Sequence, residues 1–451
     1  MIASIRGHAD RLRSSEQHPW FTLGAVMLGT IMGPLDGSIA NIALPTIATS
    51  YHQSIAHTEW VLLAYMLVMA STLVIFGRLG DIFGQKRVYL GGFAIFAFGS
   101  LACTIAPSLS TLIAARALQG IGAAMLMSSS PAIIVHTFPV SIRGRAIGLN
   151  GAAVAVGLLA GPLLGGLILH VASWRWIFAI NLPISVIAFA FAAFVLHRTP
   201  GRKEEIDFLG AGVLAVALFS IALAFSQAPL WGWTSPLTIG VFIGGIIATS
   251  IFIAIEARAV APTLDLALFR IRLFGMSTIA ATMFFIALSA VVFTIPLDAQ
   301  LVSGYSGLQA ALTLLPIFLF NIVLAPTAGA LSDKIPIRIL ATIGASIFAI
   351  GIGTLAWIGF QPLHHATILA MVFAGIGTTI FSQPNNNAIM SAAPAHRRGV
   401  AAGTLATART AGQLLGTALA GGLYYAVGAH GIFVAVALLM VIVAVVSFTR
   451  D

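Results

Sequence analysis

The chain has 451 residues, 59% of them hydrophobic and only 8% charged, with a mean hydropathy of +1.02. That is too apolar for a water-soluble fold of this length and places it among multi-spanning membrane proteins. Its 22 basic against 13 acidic residues give a formal charge of +9, a balance that in a soluble chain would suggest nucleic acid; the placement of those charges, below, excludes it. The single Cys103 rules out an internal disulfide, and the 11 histidines show neither C-x-x-C nor H-E-x-x-H spacing, so no metal site is expected.

Residues 1–19 form a short polar, basic segment. From Trp20 an apolar run continues past Asp36 to Leu44, too long for a signal-peptide core, and reads as an uncleaved first span. Apolar runs of membrane-crossing length then recur. The predicted spans are 20–44, 58–77, 88–106, 110–135, 146–170, 175–196, 208–227, 237–256, 273–297, 308–331, 338–359, 366–390, 399–424 and 429–448. These are fourteen helices with short connections and no space for a soluble domain.

With the N-terminus on the cytoplasmic side, 19 of the 22 Lys and Arg fall on the inner side of this topology. Arg175 alone lies outside, and Arg116 and Arg409 lie within spans. This is the positive-inside signal. Six of the seven tryptophans fall at outer ends, as an aromatic belt would. The expected location is the cell membrane, multi-pass, with both termini cytoplasmic. The basic excess is thus topological, and nucleic-acid binding is not expected.

The chain repeats itself. Gly77, Leu79, Asp81 and Lys86, after span 2, recur 252 residues later as Gly329, Leu331, Asp333 and Arg338, after span 10. Arg143, Gly144, Ala146, Gly148, Gly157, Gly161 and Gly166 recur 255 residues later as Arg398, Gly399, Ala401, Gly403, Gly412, Gly416 and Gly421. Span 2 maps to span 10 and span 5 to span 13, a shift of eight helices. The domain division is therefore 1–19 (N-terminal segment), 20–200 (first six-helix half), 201–272 (two inserted helices, with the prospect that neither half needs them) and 273–451 (second six-helix half). Parallel six-helix repeats are a transporter architecture, with the substrate site between the halves at midplane.

Several motifs lie on this frame. Span 5 carries Gly157-x-x-x-Gly161-Pro162-x-x-Gly165-Gly166, a bare face that lets another helix approach closely, bent by a proline that a membrane bundle tolerates. The loop after span 2 runs from Gly77 to Arg87. Span 1 contains Leu35-Asp36-Gly-Ser-Ile-Ala-Asn41-Ile-Ala-Leu-Pro45, and span 4 contains Arg116-x-x-Gln119-Gly120. Trp174-Arg175-Trp176-Ile-Phe, Asn181-x-Pro183 and Ile206-Asp207-x-x-Gly210 follow. Together these resemble the major facilitator superfamily in its fourteen-helix drug:proton antiporter family, over nearly the whole chain. The resemblance implies an all-α membrane fold of two six-helix halves plus two inserted helices. It makes Gly77–Arg87 the superfamily's loop 2–3 signature and the Gly161-Pro162 helix its antiporter motif, packed against a helix of the other half. Span 13 has no acidic residue, unlike some family members.

A proton-coupled exporter needs a carboxylate that changes protonation, and charges inside spans are functional candidates by default. Asp36 is the first, with Arg116 expected in the same outer half of the membrane and tuning it; the alternative is a structural Asp–Arg pair. Asp298, at the outer end of span 9, is a second proton-coupling candidate or an interfacial residue. Asn41, Tyr65, Gln119, Gln300, Asn321, Asn385, Asn386 and Arg409 are candidates for the substrate cavity, against helix–helix hydrogen bonding for each. Gly77, Asp81, Gly84, Lys86, Arg87 and Asp333 are assigned to gating loops. Asp81 would accept hydrogen bonds from the start of span 13 near Gly399, helped by that helix's dipole.

The expected function is export of lipophilic or amphiphilic, cationic drugs or toxic compounds in exchange for protons, by alternating access. It would need no cofactor beyond the proton gradient, and its partners would be a small-molecule substrate, protons and lipid, with the chain working as a monomer. The other readings are an exporter or symporter of one metabolite, and a non-transporting receptor or scaffold. No nucleophile–base pair or metal site points to an enzyme.

Overall fold

Long apolar segments in a bilayer must satisfy their backbone polar groups internally, which leaves the helix as the form for each run. The computed structural model describes residues 18–197, 207–259, 264–332, 334–394 and 397–450. Its long helices are α1 (His18–Tyr51), α2 (Trp60–Phe83), α3 (Gln85–Ile105), α4 (Leu109–Thr137), α5 (Val140–Val171), α6 (Asn181–Val195), α7 (Phe208–Trp231), α8 (Pro236–Glu256), α9 (Arg272–Leu301), α10 (Gly307–Ser332), α11 (Ile337–Ile358), α12 (His365–Ala392) and α13 (Arg398–Phe448). Local chemistry sets several boundaries. Gly84, at φ +93°, separates α2 from α3. Ser108 and Thr111 form a reciprocal capping box at the start of α4. Asp207 caps α7 by accepting from the Gly210 N–H at 2.7 Å.

Thirteen helices among the described residues are long and apolar enough to cross a membrane. The last, with 51 residues, is roughly 77 Å long at 1.5 Å per residue, more than twice the hydrocarbon thickness of about 30 Å. It is broken at Gly428, whose φ of 63° and ψ of −176° are not helical. Its arms, 398–427 and 429–448, correspond to predicted spans 13 and 14.

Helix pairing recurs with a shift of eight. α1 packs on α5 as α9 packs on α13; α3 on α4 as α11 on α12; α2 on α4 as α10 on α12. Between the two sets, α5 meets α10 and α13 meets α2, again related by the same shift. The cores interlock: Ala40 and Leu44 of α1 join the apolar cluster built on α9–α13, while Leu414 and Ala418 of α13 join the cluster built on α1–α4.

The first inserted helix is not peripheral. α7 packs on both α2 and α13 as well as on α8. A Cβ at Gly422 of α13 would collide with the Phe225 carbonyl of α7, and Gln227 Nε2 donates to Ala56 O at 3.4 Å. α7 thus lies across a junction between the halves.

The two ends of the bundle differ. At the end rich in Lys and Arg (the basic end), an added Cβ at Gly148 or Gly151 of α5, Gly329 of α10 or Gly403 of α13 would meet no atom within 4 Å. At the opposite end the halves touch. Gln300 Nε2 donates to Ile42 O at 3.1 Å across them. A Cβ at Gly166 would lie 2.6 Å from Leu308 Cα, and one at Gly307 would lie 3.1 Å from Leu169 Cδ1. The halves are joined at one end, and at the other these four glycines have open space beside them.

Candidate functional site: a buried polar network around Asp36

α1 carries Asp36 into the interior of the first half, where α2, α3, α4 and α6 surround it. An ionised carboxylate there requires paired charge and hydrogen bonds, and the neighbouring helices supply both. Arg116 Nη1 of α4 bonds Asp36 Oδ2. Gln119 Nε2, one turn further along α4, donates to Asp36 Oδ1 at 2.8 Å, and Asn181 Nδ2 at the start of α6 donates to the same oxygen at 2.7 Å. Asp36, Arg116, Gln119 and Asn181 are all 0% exposed.

A second layer orients the first. Arg116 Nε donates to Val61 O of α2 at 2.8 Å and its Nη1 also donates to Gln119 Oε1 at 2.6 Å. The guanidinium carbon lies 4.2 Å from the centroid of the Tyr65 ring, a cation–π contact. The Tyr65 hydroxyl donates to Gly33 O at 3.1 Å. Gln119 Nε2 also donates to Ser100 Oγ at 2.8 Å, with Cys103 Sγ 3.8 Å from Gln119 Oε1. Arg116 Nη2 and Asn181 Oδ1 remain buried without partners, so the network has spare capacity for a rearranged proton or hydrogen bond.

Gly99 is what brings α3 this close: a Cβ there would lie 2.8 Å from Gln119 Cα. The glycines of α5 act on the other side of α1. A Cβ at Gly157 would lie 2.6 Å from Ile31 O, one at Gly161 would collide with Ser38 Oγ, and one at Gly165 would lie 2.9 Å from Ile39 Cγ1. These three glycines therefore pack α5 against α1 of its own half; the expected packing of α5 against the other half is made with α10, where Gly166 meets Leu308. The spacing marks a bare face, but not which neighbour occupies it. In α13, Gly412 meets Thr282 O of α9 at 2.8 Å from its would-be Cβ, the corresponding contact of the repeat. Pro162 is buried within α5.

Of the candidates for the substrate cavity, Tyr65 and Gln119 belong to the Asp36 network. Gln300 spans the joined ends of the halves and bonds Ile42 O and Pro296 O. Asn385 is committed elsewhere: its Nδ2 donates to Ser277 O at 2.9 Å, and its Oδ1 accepts from Arg450 Nη1 at 2.8 Å. Arg450 is itself fully buried and donates to Ile337 O at 2.6 Å. This latch ties Arg450 into the second half and gives Asn385 the helix–helix hydrogen bonding that was the alternative to a place in the cavity. Asn41 keeps a buried Oδ1 without a partner, and Asn321 and Asn386 are half-buried. Arg409 places its guanidinium carbon 5.3 Å from the Phe285 centroid, with Nε buried and unpartnered. Asp298 is 8% exposed and accepts from the Tyr424 hydroxyl of α13 at 2.9 Å, a contact within the second half.

In the loop after α2, Asp81 Oδ1 accepts from Gln85 Nε2 at 2.8 Å. Lys86 reaches the C-terminal end of α6, donating to Ala193 O at 2.7 Å and Leu196 O at 2.6 Å, where a cation is favoured by the helix dipole. Arg87 Nη1 donates to Phe83 O at 3.5 Å, and a Cβ at Gly77 would lie 3.9 Å from Ser128 Cβ. Asp333 lies outside the described residues.

Sequence reasoning missed Asn181 as a ligand of Asp36 and Glu59 altogether. Asn181 was visible within its Asn-x-Pro motif; Glu59, beside Trp60 at a predicted outer end, gave no signal of burial.

Comparison with known proteins bears on this geometry. The family model described as Major Facilitator Superfamily matches residues 26–417. The chain is 35% identical over 395 residues to an uncharacterized transporter, YebQ, of Escherichia coli, with 87% of this chain and 86% of the relative covered. It is 34% identical to the riboflavin transporter RibZ of Clostridioides difficile, over 88% of this chain and 87% of the relative. It is 30% identical to a tetracenomycin C resistance and export protein of Streptomyces glaucescens, over 89% and 75%. Among solved structures, a POT family transporter in complex with 5-aminolevulinic acid aligns at a TM-score of 0.73 and 13% identity, covering 94% of each chain, a likeness of fold.

Proposed function

The chain belongs to the major facilitator superfamily and is a membrane transporter, and on that footing we propose that it is a proton-coupled antiporter that exports lipophilic or amphiphilic compounds by alternating access. In this reading the basic end is cytoplasmic, and the protein works as a monomer in the cell membrane.

The observation that carries the proposal is the complete burial of Asp36, with its two oxygens divided among Arg116, Gln119 and Asn181. A proton arriving at Oδ2 makes Asp36 neutral and removes the counter-charge of Arg116. The guanidinium then rests on Val61 O and the Tyr65 face, both on α2. α2 is the helix of the first half that meets α13 of the second. Protonation is thereby converted into a changed load on a contact between the halves, which is what coupling requires. In this reading substrate enters between the halves from the basic end.

A narrower substrate range is the second reading, favoured by the relative named a riboflavin transporter. The test is made in proteoliposomes with wild type and Asp36→Asn, under an imposed pH gradient, following a lipophilic cationic dye and internal pH together. Dye movement against its gradient with opposing proton flow, lost in Asp36→Asn, is the expected result. Wild type that moves none of a broad panel of amphiphiles would point to the single-metabolite reading; normal coupling in the variant would reduce Asp36 to a structural role.

A further inference from the structure

Glu59 immediately precedes α2 and is 0% exposed. Both of its carboxylate oxygens are buried, and neither makes a hydrogen bond of good geometry; the Ser226 hydroxyl is the polar side chain within reach. It does not cap its own helix with its side chain, although the free N–H groups of α2 begin there. Its backbone is satisfied by Ile55 O, Leu62 N and Leu63 N, so the strained account falls on the carboxyl group alone.

Three helices close over it. Gly421 of α13 lies directly against Oε2, where a Cβ could not be accommodated. Ser226 of α7 lies beside it, and Gln227 Nε2 of α7 donates both to Ser226 Oγ at 3.2 Å and to Ala56 O at 3.4 Å. Tyr425 of α13 is the titratable group on its remaining side, and His57, in the preceding turn, is exposed. No cation pairs with it among the described residues. Glu59 thus occupies the junction of α2, α7 and α13, whereas Asp36 lies inside one half.

We propose that Glu59 is a second proton-binding site, which holds a proton while α2 and α13 are together and exchanges it with water when they part. An ionised carboxylate with no cation beside it, and at most the Ser226 hydroxyl to donate to it, is costly to bury, and a neutral acid far less so. As a neutral acid, Glu59 has an O–H to give to Ser226 Oγ. On parting, the proton passes to a water molecule and the carboxylate is hydrated; on closing, hydronium returns it and the water is expelled. Gly421 leaves the room that this carboxyl group needs, and α7, present only once in the repeat, supplies its outer wall. The proposal rests on the alternating-access reading above.

Infrared spectroscopy of the purified protein in lipid tests it, without substrate or gradient, so the result is independent of whether Asp36 couples transport. Wild type should show a protonated-carboxyl carbonyl band that is absent in Glu59→Gln, retained in Asp36→Asn, and displaced in frequency in Ser226→Ala. The band should shift in D2O as the proton exchanges. A Met66→Cys/Thr417→Cys pair bridged by a short cross-linker would hold α2 to α13, since Thr417 Oγ1 lies 4.0 Å from Met66 Sδ. In the bridged protein the D2O shift should slow at least tenfold, and recover when the bridge is cleaved. A band unchanged in both Glu59→Gln and Ser226→Ala overturns proton occupancy at Glu59. Equal exchange in bridged and free protein overturns its dependence on the parting of the helices.

Discussion

The pair of Asp36 and Arg116 makes a quantitative demand on mutants. Removing one partner of a fully buried ion pair costs about 3–5 kcal/mol, because the other charge is left uncompensated, whereas replacing both by apolar groups is close to neutral. Here each partner keeps some support. In Arg116→Met, Asp36 retains the amide donors of Gln119 and Asn181; in Asp36→Leu, Arg116 retains Val61 O, Gln119 Oε1 and the Tyr65 ring. Each single variant should therefore fall at the low end, about 3 kcal/mol. In the double variant Gln119 Nε2 still has Ser100 Oγ, but Asn181 Nδ2 loses its acceptor, at about 1–3 kcal/mol. Additive behaviour would give a loss of about 6 kcal/mol; the expected loss is about 2, a coupling of about 4 kcal/mol. Titrating a denaturing detergent into lipid–detergent micelles, with helical circular dichroism as readout, measures all three. Single variants that each lose under about 1 kcal/mol, or a double variant that loses their sum, would refute the pairing as the basis of the site. The double variant should still be unable to couple proton flow, which separates stability from function.

Other positions give sharper contrasts within one element. Gly161→Leu forces α5 away from α1 and should cost at least the 1–3 kcal/mol or so of an overpacked core, while Gly148→Leu, in open space on the same helix, should leave thermal stability unchanged and lower transport if the basic ends close during the cycle. Gly428→Ala places a side chain at φ 63°, ψ −176°, a region that suits only glycine, and should cost about 1–3 kcal/mol in the same detergent titration. Lys86→Met strips the Ala193 and Leu196 carbonyls of their ammonium and should cost about 1–3 kcal/mol; Arg87→Met, at an exposed neighbour, should change stability by less than about 0.5 kcal/mol.

How much of this was legible in the sequence depended on the kind of information. Helices were, because an apolar run that crosses a bilayer has no other way to satisfy its backbone; only the break at Gly428 needed coordinates to become a joint within one long helix. Asp36 and Arg116 were legible because an isolated charge in a span is so unfavourable that each implies a partner. Asn181 was not, since a neutral amide makes no such demand. Asn385 looked like a free cavity group because the residue that occupies it, Arg450, is 65 positions away and read as a topogenic charge at the end of the chain. Glycine spacing in α5 revealed a bare face but not its occupant, which is α1. Glu59 was hidden for a different reason: it is buried only by α7 and α13, and nothing near it in sequence foretells that they converge there.

Two of the junctions between the halves, α2 with α13 and α5 with α10, are related by the repeat, yet α7 lies over only the first. No described helix takes the matching place on the second. The described bundle is therefore asymmetric: one flank is a three-helix wall, the other a two-helix line. Under the proposed alternating access, halves that rock about such a frame would not open both flanks alike: the flank backed by α7 would resist as a hinge plate does, and the unbacked flank would give first.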